Sequence, residues 1–181
     1  MHARGIALEV LVPVPATPLT PSPFTAEQQK IFDAEVAKLV THYPPEHRSA
    51  ALIPVLHTAQ RLQGWLSEQT MDYCGDTVGV PHTRVREVIT FYTMFHTKPV
   101  GKTHVQVCVN LSCWLLGSDK IVDVCKKRLG TRQFEPTADG RHSWCEVECL
   151  AACGGAPAAQ INDQYYENLS VDQLEKVLSS K

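Results

Sequence analysis

The chain has 181 residues, 44% of them hydrophobic and 20% charged, enough for one ordinary globular domain or two small ones. A net charge of -2 gives no basic excess for gripping phosphate backbones, so no nucleic-acid partner is expected. No apolar run approaches the roughly 20 residues that cross a bilayer, so direct membrane insertion is not expected either.

Residues 1–23 carry Pro13, Pro15, Pro18, Pro21 and Pro23 and read as an extended, flexible arm. The apolar stretch 6–14 is short, contains Glu9 and lacks a charged leader, so it is not read as a signal peptide. It is also poor in Arg for a mitochondrial presequence, which favours a bacterial-type cytoplasmic protein over one of the mitochondrial matrix.

Helices follow. Thr25-Ala26-Glu27-Gln28 has the form of a capping box, and Ile31, Phe32, Val36, Leu39 and Val40 then recur at helical spacing. Pro44-Pro45 closes that helix. A second is expected over residues 46–62, kinked at Pro54 and stopped by Gly64. A third, over 67–78, ends at Gly79. A fourth runs over 83–95, with Val85, Val88, Ile89, Tyr92 and Phe95 on one side. Residues 24–97 therefore read as a helical bundle, and Lys98-Pro99-Val100-Gly101 as a hinge.

Beyond the hinge the period changes. Residues 104–109 alternate as a strand, 114–129 read as a helix closed by Gly130, and Asp139-Gly140 marks a hairpin between 134–137 and 142–148. Asn162-Asp163 marks a second hairpin, between 158–161 and 164–166, and Ser170-Val171-Asp172-Gln173 caps a last helix. A strand–helix–strand unit favours a right-handed parallel crossover. The expected fold class is α+β: a helical bundle, then over residues 101–181 a thioredoxin-like α/β domain with a mixed sheet.

Seven cysteines, an odd number, argue against a disulfide framework and raise the question of metal. Cys108 and Cys113 form C-x4-C, and Cys149 and Cys153 form C-x3-C. Cys108 and Cys149 each end a predicted strand, so parallel strands would bring both loops to the carboxyl edge of the sheet, where open α/β sheets place ligands. Soft thiolates suit iron–sulfur clusters or zinc. The tight knuckles usual for zinc and the compact run of a four-iron ferredoxin are both missing, and a two-iron cluster, with two thiolates on each iron, fits two separated pairs. Zinc, in a zinc-stabilised binding module, and free thiols remain open on spacing alone. Ser112 is expected to cap the helix at Trp114, and Gly154 and Gly155 to let backbone pass close to the sulfurs. Cys145 stands about 13 Å along a strand from Cys149, too far to share one small cluster. Cys74, Cys125 and Cys145 are read as small buried hydrophobes.

Two rivals are weaker. Residues 74–95 have a helix–turn–helix rhythm, but the would-be reading helix offers only Arg84 and Arg86 before turning apolar. Thiol–disulfide chemistry needs C-x-x-C, which the chain lacks. The histidines form no H-x-H or H-E-x-x-H pattern, so no catalytic residue is assigned.

Certain segments also resemble a known family. They include Ala59-Gln60-Arg61-Leu62-Gln63-Gly64-Trp65-Leu66, Val88-Ile89-Thr90-Phe91-Tyr92-Thr93-Met94-Phe95, Val107-Cys108-Val109-Asn110-Leu111-Ser112-Cys113-Trp114-Leu115, Glu148-Cys149-Leu150-Ala151-Ala152-Cys153 and Ile161-Asn162-Asp163-Gln164-Tyr165-Tyr166. Together they resemble the thioredoxin-like two-iron ferredoxins that serve as a component of NADH-quinone oxidoreductase, respiratory complex I, over about residues 26–178. The resemblance implies that Cys108, Cys113, Cys149 and Cys153 hold one [2Fe-2S] cluster. It implies a flavin- and NADH-binding partner subunit and further iron–sulfur subunits, with FMN and NADH on the partner. The assembly would oxidise NADH and reduce quinone on the inner face of the cell membrane. NAD-linked hydrogenases and formate dehydrogenases carry related subunits and are the alternative assembly. The chain has no G-x-G-x-x-G or Walker loop of its own, consistent with a subunit that binds no nucleotide.

Overall fold

The computed structural model describes residues 18–130 and 132–180. Most of the expected N-terminal arm lies outside them. The chain divides into two compact units, Met1–Lys98 and Pro99–Lys181.

The first unit is helical. Helix α1, Ala26–Val40, opens on the expected capping box: Thr25 Oγ1 accepts the Gln28 N–H at 3.3 Å, and Gln28 Oε1 accepts the Thr25 N–H at 3.1 Å. Residues 20–23, read as part of a flexible arm, are tied to the other helices. Asp76 Oδ2 accepts the Thr20 N–H at 2.7 Å, and the Gln69 and Gln63 amides donate to the Pro21 and Pro23 carbonyls at 3.0 and 2.9 Å.

The second expected helix is two pieces, a 3-10 turn over Pro45–Ala51 and helix α2 over Leu52–Gln63. Pro54 does not kink it. It occupies the first turn of α2, where an amide has no acceptor within the helix, and the irregular backbone falls instead at His47. Gly64 and Gly79 end α2 and α3 (Glu68–Val78) in the left-handed conformation, at φ 83° and 74°. Helix α4, His82–Phe91, stops four residues short of Phe95. The amide of Gln60 on α2 captures the next stretch, donating to the Met94 carbonyl at 2.9 Å and accepting the His96 N–H at 2.7 Å. That clamp turns Phe95 into the core beside Leu56, Leu66, Val85 and Ile89.

The second unit is built on a four-stranded sheet in the order β2-β1-β3-β4. Strands β1, Thr103–Cys108, and β2, His142–Val147, are parallel, with His104 opposite Ser143 and Cys108 opposite Val147. Strands β3, Ala159–Ile161, and β4, Gln164–Tyr166, form the expected hairpin, turning at Asn162 with φ 54°, and β3 runs antiparallel to β1. The crossover is broken where one helix was expected. Helix α5, Leu111–Leu115, is capped by Asn110 rather than Ser112, which lies inside it. Gly117, at φ 94°, separates α5 from α6, Ser118–Leu129.

Residues 134–137 form no strand. Their loop returns along β2 through the Phe134 and Thr137 N–H groups, which donate to the Trp144 and His142 carbonyls at 2.8 Å each. Val105, Val107 and Trp144 of the sheet pack against Ile121 and Val122 of α6 and Leu174 of the last helix, α7, Val171–Ser180. The Ser170–Gln173 capping box at the start of α7 is present. The fold class is the expected α+β, a helical unit followed by a mixed sheet covered by helices.

Candidate functional site

Parallel pairing of β1 with β2 sends both chains out at the same edge of the sheet. Cys108 is the last residue of β1, and Cys149 follows the end of β2 by two residues, slightly later than expected. Cys113 lies within α5, and Cys153 opens a short 3-10 turn, Cys153–Gly155. The Cys113 and Cys149 thiols both lie close enough to Cys108 to act on its ionisation, and Cys113 lies in the field of Cys153. All four thiols are free; Cys108 and Cys113 are buried, and Cys149 and Cys153 are exposed.

Backbone N–H groups point at these sulfurs. The Ala151 N–H donates to Cys149 Sγ at 3.3 Å. Ala151 reaches that position in the left-handed region at φ 55°, which side-chain-bearing residues rarely adopt. Burial alone would raise the Cys108 thiol, but the Asn110 and Leu150 amides, with the thiols of Cys113 and Cys149, hold it below its ordinary value. Burial raises Cys113, with the Ala158 amide opposing and the neighbouring Cys108 and Cys153 adding to the rise. The opposite directions belong to one pair: whichever thiol ionises first makes the second ionisation harder.

Leu150, Ala156 and Ala158 form an apolar wall against Cys108 and Cys113. The glycines act differently from the expectation. A side chain at Gly154 would meet open space, and one at Gly155 would meet Glu167 rather than a sulfur.

Among the described residues, no group of three or more His, Cys, Asp or Glu is gathered for a single metal ion. A two-iron centre is assembled from pairs, each iron taking two thiolates, so the pair is the unit to examine. Two pairs of free thiols on neighbouring loops, with amide donors to spread negative charge and an apolar wall behind, match the donor chemistry of such a centre.

Cys74, Cys125 and Cys145 are buried free thiols. Cys74 lies in the core of the helical unit. Burial pushes the thiols of Cys125 and Cys145 up to about 12, so neither offers a thiolate at neutral pH. Cys145 Sγ instead meets His104 Nε2 at 3.4 Å. Sequence reading missed the amide donors at Leu150, Ala151 and Ala158, because a backbone N–H carries no residue signature.

Comparison with known proteins adds the family. Residues 36–181 match the thioredoxin-like [2Fe-2S] ferredoxin model. Among curated relatives, the E-type component of NADH-quinone oxidoreductase from Rickettsia bellii is 46% identical over 156 residues, covering 86% of this chain and 92% of its own. Its namesake in Rickettsia prowazekii is 41% identical over 163 residues, covering 90% and 91%. A solved NAD+-reducing [NiFe]-hydrogenase in its H2-reduced state superposes with a TM-score of 0.62 at 19% identity, over 71% of this chain and 22% of the hydrogenase chain. That superposition supports the fold. The chain belongs to the thioredoxin-like [2Fe-2S] ferredoxin family.

Proposed function

We propose that this chain is the [2Fe-2S] electron-transfer subunit of an NADH-quinone oxidoreductase, with Cys108, Cys113, Cys149 and Cys153 as the cluster ligands. The observation that carries the proposal is the convergence of two cysteine loops at the carboxyl edge of β1 and β2. When bound there, the cluster supplies one-electron exchange at a potential set by sulfur hydrogen bonds, charge and solvent exposure.

The chain's own groups act on those three quantities. The Ala151 amide donates to Cys149 Sγ, and the amides of Asn110 and Leu150 near Cys108 and of Ala158 near Cys113 favour negative charge on those sulfurs. Leu150, Ala156 and Ala158 keep water from one side. The exposed Cys149 and Cys153 leave the other side open towards a redox partner.

The assembly proposed is a membrane-peripheral complex on the inner face of the cell membrane. Its flavin- and NADH-binding subunit is the immediate neighbour, with further iron–sulfur subunits beyond. Among the described residues no helix is long and apolar enough to cross a membrane, so attachment would come through the complex. The quinone-linked assembly is preferred to a hydrogenase because the named oxidoreductase relatives reach 46% identity against 19% for the hydrogenase.

The test is co-expression with a candidate flavin subunit, followed by rapid mixing with NADH. Co-purification and NADH-dependent bleaching of the iron–sulfur absorbance are expected. A chain that stays apart from every such subunit, or whose absorbance NADH never changes in the complex, contradicts the proposal.

A further inference from the structure

Strand β2 lies at the edge of the sheet, with β1 as its single strand neighbour. Each of the two strands leads into one half of the cysteine set, so the register between them decides how the halves meet. Parallel ladder bonds are evenly spaced and do not by themselves fix register. A slip of one residue would carry Cys149 about 3.3 Å along Cys108 and turn the β2 side chains to the wrong faces. Metal–ligand distances tolerate only about 0.2 Å. Something must hold β2 in place.

Resting on the cluster assignment above, we propose that His104 is a positioning residue for the metal centre: with Ser143 and Cys145 it pins β2 to β1 in the one register that lets both cysteine loops meet. His104 and Cys108 share a face of β1, since alternate residues of a strand point the same way. On that face His104 Nδ1 meets Ser143 Oγ at 2.7 Å, directly across the ladder, and His104 Nε2 meets Cys145 Sγ at 3.4 Å, one step diagonally on. Ser143 Oγ also accepts the Gly101 N–H at 2.8 Å. The three side chains are 3%, 0% and 2% exposed, so water cannot replace these partners. Phe134 stacks over the imidazole, with ring centroids 5.9 Å apart.

The chain entering β1 grips the same end of β2. A Cβ added to Gly101 would fall 2.2 Å from the His142 carbonyl carbon and 2.5 Å from the Ser143 nitrogen. Any shift of β2 would therefore strand several buried polar groups together and drive backbone into backbone. On the opposite face Val105 and Val107 offer contacts without direction, and the Trp144 Nε1–H bond to the Gly130 carbonyl ties β2 to the end of α6 rather than to β1.

The experiment uses the full chain, reconstituted anaerobically with ferric iron, sulfide and a thiol, as wild type, His104→Leu, His104→Asn and Ser143→Ala. The readouts are the g-values of the reduced state, the midpoint potential and iron retention against a chelator. Leucine at 104 is expected to shift the g-values and potential and to weaken iron retention roughly 10-fold. Asparagine, whose amide can take the place of Nδ1 opposite Ser143, is expected to restore most of the loss. Wild-type values in His104→Leu overturn the proposal, and so does a shift that asparagine fails to reverse, which would assign the effect to packing. If His104→Leu does not fold, Ser143→Ala decides: altered g-values support the pin, and wild-type values refute it. A wild-type chain that takes up no iron removes the cluster assignment itself and this inference with it, an outcome read before any variant.

Discussion

In the helical unit Cys74 is sealed in the hydrophobic core, and burial pushes its thiol well above the ordinary range. In the sheet unit Cys108 lies near Cys113 and Cys149, Cys113 lies in the field of Cys153, and backbone amides act on their sulfurs. The residue type is the same and the surroundings differ. A helix buries its cysteine by periodicity, as it would an alanine or valine. A parallel strand pair ends its two chains side by side, and so can bring residues far apart in sequence to one point. The lesson is that topology, more than cysteine content, assigns chemistry to this molecule.

Substitutions can break or sharpen this contrast. The largest effect is expected at the cluster edge: Cys113→Ala should abolish two-iron binding, measured as iron and acid-labile sulfide per chain, while Cys74→Ala leaves both unchanged. Equal losses in the two variants would erase the distinction between the units. Core truncations come next. Trp144 is fully buried and donates its Nε1–H to the Gly130 carbonyl at 2.8 Å, so Trp144→Ala should cost about 3–5 kcal/mol and lower iron content with it. Leu56→Ala, in the helical core, should cost about 2–5 kcal/mol in denaturant unfolding with iron per chain preserved. Iron lost in parallel with helical stability would show that the cluster depends on that unit. A smaller change, about 1 kcal/mol, is expected for Cys125→Ala, again with the reduced-state spectrum intact.

The smallest effect concerns pH in the helical unit. Burial alone would raise the Asp76 carboxyl, but hydrogen bonds from His82 Nε2 at 2.8 Å and the Thr20 N–H at 2.7 Å outweigh it and hold the carboxyl below its ordinary value. A depressed folded-state value stabilises the fold above the unfolded value, near 4, and that stabilisation fades as pH falls through the folded value. Asp76→Asn should therefore flatten the loss of thermal stability between pH 5 and pH 3 (acid limits of about this order follow from linkage). An unchanged acid limb in the variant would remove Asp76 from the account.

Much of the fold was legible because local chemistry agreed with it. The Thr25 and Ser170 capping boxes, the stops at Gly64 and Gly79 and the Asn162 turn are short-range devices with side-chain signatures. One expectation went astray where a distant partner decided: Gln60 ends α4 early by capturing Met94 and His96. Another failed locally: Asn110, two residues earlier, takes the capping role assigned to Ser112. Pro54 was misplaced because α2 begins at Leu52, six residues later than expected. The cysteine pairs were legible from spacing. The amides that support their sulfurs were not, since a backbone N–H carries no residue signature, nor were the His104–Ser143–Cys145 contacts, which arise only when β1 and β2 align.

The most direct test of the central claim is electron paramagnetic resonance of the dithionite-reduced full chain after anaerobic reconstitution, alongside metal analysis. One rhombic two-iron signal, with about two irons and two sulfides per chain, is the result the four-thiolate assignment requires. A colourless, signal-free protein holding stoichiometric zinc would contradict it.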